Sequence, residues 1–571
     1  MTQARRAIRW VVPGYALLLA LAVTAPLLAP GYLLLRDAVS TPRSYLSDAA
    51  LGLSDAAPRA LPQDFAVALA SHVLDGGVVV KVLLIAGLWL AGWGSARLAA
   101  AVLPASGAGG QFVAATLAVW NPYVAERLLQ GHWSLLVGYG GLPWVAAAVL
   151  RLRGERSWAR WAALVFWIAL AGLTPTGLLL AAVVALACIA VPGDGVSRPR
   201  CATGVLVAAV LVASPWLTAS AVGDALDSSP SSGVVAFAAR AEPGLGTLGS
   251  LAGLGGIWNA EAVPSSRTTL LALLATVVLL LVVAVGLPTV LRRRAAMPLL
   301  VLAAVGVLLP AALATGPGLA VLRTLVETAP GVGVLRDGQK WVALAMPGYA
   351  VAGAGAVVTL RQWLRPGITA LVCAVAVIAV LPDLAFGAWG KVSSVRYPPG
   401  WWTVAGIVNS APGDVAVLPA DSMRQFAWSG PAPVLDPLPR WLRAEALATG
   451  DLTISGHSVP GEGSHARDVQ QLLLAGGRPE ALADAGVGWV VVESGSAGAM
   501  GDAQRTLQGL PVAYQDADLT LYRVGGASQA ASQGKRALAV ATHLMWLVLL
   551  AGAGIAALAG HRRKDVPSGT C

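Results

Sequence analysis

Three places in the sequence carry side chains whose types and spacing could do chemistry. The first is Leu35-Arg36-Asp37, which puts a carboxylate just past the first apolar segment; Asp48, Asp55, Asp64 and Asp75 follow before the next one. A carboxylate at headgroup level costs little. It could take the proton of an attacking hydroxyl, or the Arg-Asp pair could simply anchor a helix end in the interface. The second is Trp120-Asn121-Pro122-Tyr123 with Glu126, Arg127, Gly131, His132 and Trp133, followed by Gly138-Tyr139 and Leu142-Pro143-Trp144. It reads either as a proline-broken helical hairpin with a polar turn, or as a pocket lined by Glu126, Arg127 and His132. The third is Leu335-Arg336-Asp337-Gly338-Gln339-Lys340-Trp341. Arg336 offers a fork and Lys340 a point charge to a phosphate at the interface, with Asp337 beside them in the pocket. The competing reading pairs Lys340 with Asp337 or Glu327 in a salt bridge.

The elements that must position these residues follow from composition. Of 571 residues, 56% are hydrophobic and only 12% charged, about half the charged fraction of a soluble domain. The mean hydropathy is +0.70. The chain reads as a polytopic α-helical membrane protein with about twelve spans, near 11–34, 78–103, 111–124, 134–150, 158–174, 176–192, 203–222, 268–290, 297–315, 340–360, 367–387 and 537–560. The net charge of +10 does not point to nucleic acid, because Arg5, Arg6 and Arg9, Arg151 to Arg160, Arg292 to Arg294 and Arg562 to Lys564 fall between spans in the positive-inside pattern. With both termini cytoplasmic, each cluster lies inside. The first span, with its basic start, is long for a signal peptide and reads as a retained helix. The four cysteines give no disulfide framework or CxxC site, and no metal set is indicated.

Residues 1–387 then form the membrane domain with eleven helices and polar outer loops at 36–77, 223–267 and 316–339. Residues 388–536 form an extracytoplasmic α/β domain, and 537–571 the last helix and a cytoplasmic tail. The 388–534 stretch holds nine Lys or Arg against thirteen Asp or Glu, so the basicity belongs to the membrane part. Within it, Val415 to Leu418, Trp489 to Val492 and Leu519 to Val524 read as strands, and Ser464 to Ala475 and Gly501 to Leu507 as helices. In the first loop, Pro62 to Leu74 has the period of an interface helix and would roof a cavity beside Asp37. Walker, HExxH and GxSxG motifs are absent, as are the matched repeats of a transporter.

With these residues the chain resembles the GT-C superfamily of polyprenyl-phosphate-dependent glycosyltransferases, which place an acidic catalytic residue in the first outer loop near the end of the first helix. Asn121-Pro122-Tyr123, Gly131-His132-Trp133, Gly138-Tyr139, Leu142-Pro143-Trp144 and the Leu335 to Trp341 segment are similar to the pattern in actinobacterial cell-envelope arabinofuranosyltransferases. The Ala-, Val-, Gly- and Arg-rich composition agrees with such a source. The resemblance covers the membrane part to about residue 390. It implies transfer of arabinofuranose or mannose from a decaprenyl-phosphate-type donor to an envelope polysaccharide or lipoglycan outside the cytoplasmic membrane. By position it makes Asp37 the base, with Arg336 and Lys340 at the donor phosphate, membrane lipid around the bundle and no cofactor. The first loop lacks the paired acids that some members show. Rival readings are a non-catalytic envelope-assembly protein and a lipid or glycan transporter.

Overall fold

Apolar runs cut by proline and glycine give helices of unequal length in the computed structural model, which describes residues 2–55, 58–223, 233–329, 331–454, 457–528 and 530–564. Seven are long and apolar enough to cross a bilayer: Trp10–Leu28, Gly76–Val102, Trp133–Gly154, Arg198–Val222, Leu271–Leu291, Gly338–Gln362 and Gln533–Gly560. Met297–Leu313 with Gly316–Thr328, and Pro366–Ala379 with Pro382–Trp389, reach that length only across bends of 91° and 74°. The chain is a polytopic membrane protein by these helices, but the expected twelve spans are corrected, among the described residues, to seven, or nine if each bent pair crosses once. The eleven expected before residue 387 fall accordingly.

Length is the physical reason. The expected spans 111–124, 158–174 and 176–192 are helices Gly107–Val119, Trp158–Ala171 and Pro175–Cys188, of 13, 14 and 14 residues. At a rise of 1.5 Å per residue they are roughly 20 Å long, against about 30 Å of hydrocarbon. Asn121 and Pro122 end the first and start the next helix, while Gly172 stops the second and Pro175 opens the third.

The long helices meet where glycines let backbones touch. A Cβ at Gly140 would strike the Gly87 carbonyl, and one at Gly286 would strike the Ala352 carbonyl and the Ala356 amide. In lipid, where no hydrophobic force separates helix from tail, such close approach supplies the packing.

The first helix ends at Thr24, and a 3₁₀ turn, Ala25–Leu28, carries the chain out of it. Strands β1 (Tyr32–Leu35) and β2 (Ala38–Val39) then form a hairpin, with Leu35 opposite Ala38. Asp37 is therefore at a two-residue hairpin tip, not at the helix end. Strand β3 (Ser394–Val395) pairs with β1, Tyr32 opposite Val395.

The C-terminal α/β unit is a four-stranded sheet of β4 (Asp414–Leu418), β5 (Val487–Glu493), β6 (Val512–Gln515) and β7 (Leu519–Arg523), in the order β6-β7-β5-β4 with β4 and β5 parallel. Alternate residues serve two cores. Val415, Val417, Trp489 and Val491 pack with Trp401 and Trp441, whereas Ala416, Leu418 and Val490 pack with Val469, Leu473 and Leu507. The strands and helices expected here are present, the helices as Ser464–Leu474 and Ala503–Gln508.

This unit grips the first loop. Arg59 Nη2 meets Glu462 Oε1 at 2.6 Å, the His465 amide donates to Asp55 at 2.6 Å, and Arg440 Nε lies 3.2 Å from Asp64. The expected interface helix is Gln63–Ala70, but Phe65 stacks on His543 of the last helix at 4.7 Å. It lies against that span and the α/β unit, and the groups that meet Asp37 come from elsewhere.

Replacing Gly286 by Val should force apart the crossing of Leu271–Leu291 and Ala345–Thr359. Overpacking of this kind typically costs about 1–3 kcal/mol, so a clear drop in melting temperature in detergent is expected; an unchanged value would show that the crossing does not depend on the glycine.

Candidate functional site

Asn121 starts the site. Its Oδ1 caps the helix Pro122–Leu129 by accepting from the Val124 amide at 3.0 Å, and its Nδ2 donates to the Tyr139 hydroxyl at 3.1 Å. This fixes the start of a short helix whose residues are all buried. Glu126 and Arg127 then point to opposite duties on one segment. Glu126, fully buried, accepts from the amides of Gly256 and Ile257 at 3.1 and 3.0 Å and from Gln339 Nε2 at 3.0 Å. Burial, with Glu242 nearby, pushes its carboxyl well up, the Arg267 charge opposing. Arg127, also fully buried, forks onto Asp337 at 2.7 and 2.8 Å.

After the helix, Gly131 adopts φ 85°, and a Cβ there would run into the Ala38 amide and the Leu35 carbonyl. Only glycine allows the turn to lie against the β1–β2 hairpin so closely. That contact brings the Asp37 amide to the Gln130 carbonyl at 3.2 Å and His132 Nε2 to Asp37 Oδ2 at 2.8 Å. Gln130 Nε2 reaches the same oxygen at 3.3 Å, and Asn259 Nδ2 donates to the side-chain Oε1 of Gln130 at 2.8 Å.

Arg127 fixes the histidine tautomer. Its Nη1 lies 3.1 Å from His132 Nδ1, and a guanidinium can only donate, so Nδ1 accepts and the proton sits on Nε2, donating to Asp37. Protonating the ring would set one N–H against another. Burial and the Lys340 and Arg127 charges accordingly hold the His132 pKa below its ordinary value, with Asp37 opposing. At Asp37 partial enclosure works against the charge, but the His132 hydrogen bond, Gln130 and Lys340 together hold its carboxyl below the usual range. Asp337 is held well down by Arg127 and Lys340 despite burial.

Exposure grades along this chain. The side chains of Arg127 and Asp337 are 0% and 8% exposed, His132 16% and Asp37 37%. Lys340, with its side chain 25% exposed, lies 3.8 Å from Asp337. Thus Asp37, Arg127, His132, Asp337 and Lys340 come together, while Glu126 sits behind them as an internal tie. Arg336 takes another direction: its guanidinium lies over Phe237, 5.6 Å from the ring centre, and its Nε donates to the Gly333 carbonyl at 3.1 Å. Arg59 acts electrostatically on both Arg336 and Lys340.

Gln130, Asn259 and Arg59 were not singled out from the sequence. Gln130 carried a signal, since polar residues at 126, 127 and 130 recur at helical spacing in an apolar stretch. Asn259 and Arg59 lie in irregular loops where no periodicity marks them.

His132 refuses a proton in the fold that the unfolded chain accepts near pH 6.5. Its contribution is therefore present above that pH and is lost as pH falls; the depressed carboxyls act the same way only below about pH 4. Melting temperature should fall between pH 7.5 and 5.5, and the fall should be shallower in His132→Gln. Equal slopes in the two proteins would refute the assignment. Comparison of the chain with protein-family models and with curated proteins gave no match.

Proposed function

We propose that this membrane protein is a glycosyltransferase that moves a sugar, arabinofuranose or mannose, from a polyprenyl-phosphate donor to an envelope glycan on the outer face. The observation that carries the reading is the partly exposed Asp37 carboxylate, held by His132 Nε2 at 2.8 Å in a cluster that also contains Arg127, Asp337 and Lys340. The GT-C resemblance of the motifs that build this cluster supports it.

In the proposed reaction the acceptor hydroxyl hydrogen-bonds to Asp37. Its oxygen attacks the anomeric carbon, the bond from that carbon to the donor phosphate oxygen breaks, and the phosphate leaves with the electron pair. Asp37 receives the proton late, when bond formation has made the hydroxyl acidic. Lys340 neutralises charge on the phosphate. Asp337 takes two hydrogen bonds from Arg127 and pairs with Lys340 only at 3.8 Å, so the ammonium keeps its N–H groups for a second anion.

Asp37→Asn should reduce transfer from a polyprenyl-phosphate sugar by about 10²- to 10⁴-fold with the melting temperature retained. Activity within a few-fold of wild type would make Asp37 a structural residue.

Lys340→Ala should weaken donor binding by roughly ten- to a hundredfold, the loss of one charge-assisted contact, and more than Arg336→Ala does. Its melting temperature should stay near wild type because Asp337 keeps Arg127. Normal donor affinity with lowered stability would instead favour the non-catalytic reading, in which Lys340 is a structural partner of Asp337.

A further inference from the structure

The α/β unit holds a second polar recess, built by different residues from those around Asp37. In open α/β sheets, ligands bind beyond the carboxyl ends of parallel strands, where the connecting segments diverge. Here β4 runs out into residues 419–424, and the chain at Ala446 lies parallel to it, with the Leu447 amide on the Val415 carbonyl at 2.8 Å. The helix Ser464–Leu474 closes the third side. Between them is a shallow cleft with aliphatic walls from Val417, Leu447 and Val469 and a polar end at Asp421, Ser422, Arg424 and Asp436.

At that end carboxylates outnumber cations, although Asp421 and Asp436 each already accept one backbone amide, from Met423 at 3.1 Å and from Leu438 at 2.8 Å. The Arg424 guanidinium is committed: Nη1 donates to the Pro419 carbonyl at 2.5 Å, Nε lies 2.8 Å from Glu493 Oε2, and Nη2 is 3.7 Å from Asp436 Oδ2. Ser422, only 8% exposed, lines the cleft, and its buried Oγ has no partner among the described residues. A buried hydroxyl left without a partner destabilises the fold unless something fills the site. Charge is unbalanced as well, with Asp421, Asp436 and Glu493 against one guanidinium. Burial pushes the Asp436 and Glu493 carboxyls up, Arg424 opposing. One proton shared between them would neutralise the group around Arg424 and leave the Asp421 charge at the cleft.

We propose that this cleft binds the primary ammonium end of an aliphatic chain, with Asp421, Asp436 and Ser422 accepting its N–H groups and the methylenes lying along Val417, Leu447 and Val469. An ammonium supplies three donors and one positive charge, which is what the polar end lacks. A neutral polyol supplies no charge, and the lining holds no aromatic ring on which a sugar face would stack.

The test is calorimetric titration of the full-length protein in nanodiscs with Nα-acetyl-lysine amide. Nα-acetyl-norleucine amide, which lacks the ammonium, and xylitol, a polyol, serve as controls. The lysine compound should bind saturably and both controls at least tenfold more weakly. Asp421→Asn, at an exposed position, and Ser422→Ala should each weaken the lysine compound by about tenfold with unchanged melting temperature. Absence of binding, equal binding of the norleucine compound, preference for xylitol, or full affinity in Asp421→Asn would each overturn the proposal. None of these outcomes bears on Asp37, so this cleft and the transferase reading stand or fall separately.

Discussion

The site depends on one buried ion pair. Arg127 and Asp337 are almost wholly removed from solvent and joined by two short hydrogen bonds. Removing either partner would strand a charge at a cost of about 3–5 kcal/mol, whereas an apolar pair of the same volume could be equally stable. Its contribution is therefore to geometry. It fixes the helix Pro122–Leu129 against the segment that opens the span Gly338–Gln362, and the next residue back, Glu126, holds the same segment through Gln339. Two consecutive side chains thus set the register between elements more than 200 residues apart. With the guanidinium immobile, its remaining contact with His132 selects a tautomer, and the tautomer directs a proton to Asp37. The neutral ring, the ionised acid and the nearby ammonium all follow from where Arg127 is held.

Asp37 is positioned from the opposite side by backbone. Its neighbour Arg36 occupies the left-handed region at φ 48°, a conformation that costs a residue with a Cβ roughly 1–2 kcal/mol. The hydrogen bonds around it outweigh that cost. The Arg36 amide donates to the Pro433 carbonyl at 2.8 Å, and its carbonyl accepts from Leu435 at 2.9 Å. Its side chain donates to the carbonyls of Leu129 and Glu261 at 2.8 and 3.0 Å. Residues 433–435 belong to the α/β unit, so that unit forms part of the frame that aims Asp37. The ion pairs of Arg59 and Arg440 and the Asp55 bond extend the same grip along the loop.

Sequence showed what was local and hid what was not. The apolar segments, the α/β strands and the residue types at 37, 126, 127, 132, 337 and 340 could all be read from composition and period. The number of crossings could not, because hydropathy marks where a chain is apolar while Asn121-Pro122, Gly172 and Pro175 decide how far a helix runs. The hairpin that carries Asp37 depends on β3, more than 350 residues away, and Tyr32 to Leu35 reads alone as the end of a helix. Arg336 and Lys340, four apart, suggested one clamp for a single phosphate. In the structure Lys340 lies within the 3₁₀ segment Gly338–Leu344 while Arg336 precedes it, and Phe237 from the second loop draws Arg336 aside.

Lys340 links the two halves of the proposed chemistry. Its charge helps keep Asp37 ionised, and the same charge makes Asp37 a weaker base than a free carboxylate. A donor phosphate bound to the ammonium would cancel part of that field at short range, where little solvent screens it. The Asp37 pKa would then rise toward its ordinary value, and the carboxylate would gain basicity once the donor is in place. His132 would not take up the proton instead, because Arg127 still occupies its Nδ1 side. A site wired in this way keeps its acid ionised while empty and strengthens it as a base when the leaving group arrives, so that proton transfer and phosphate departure draw on one cation.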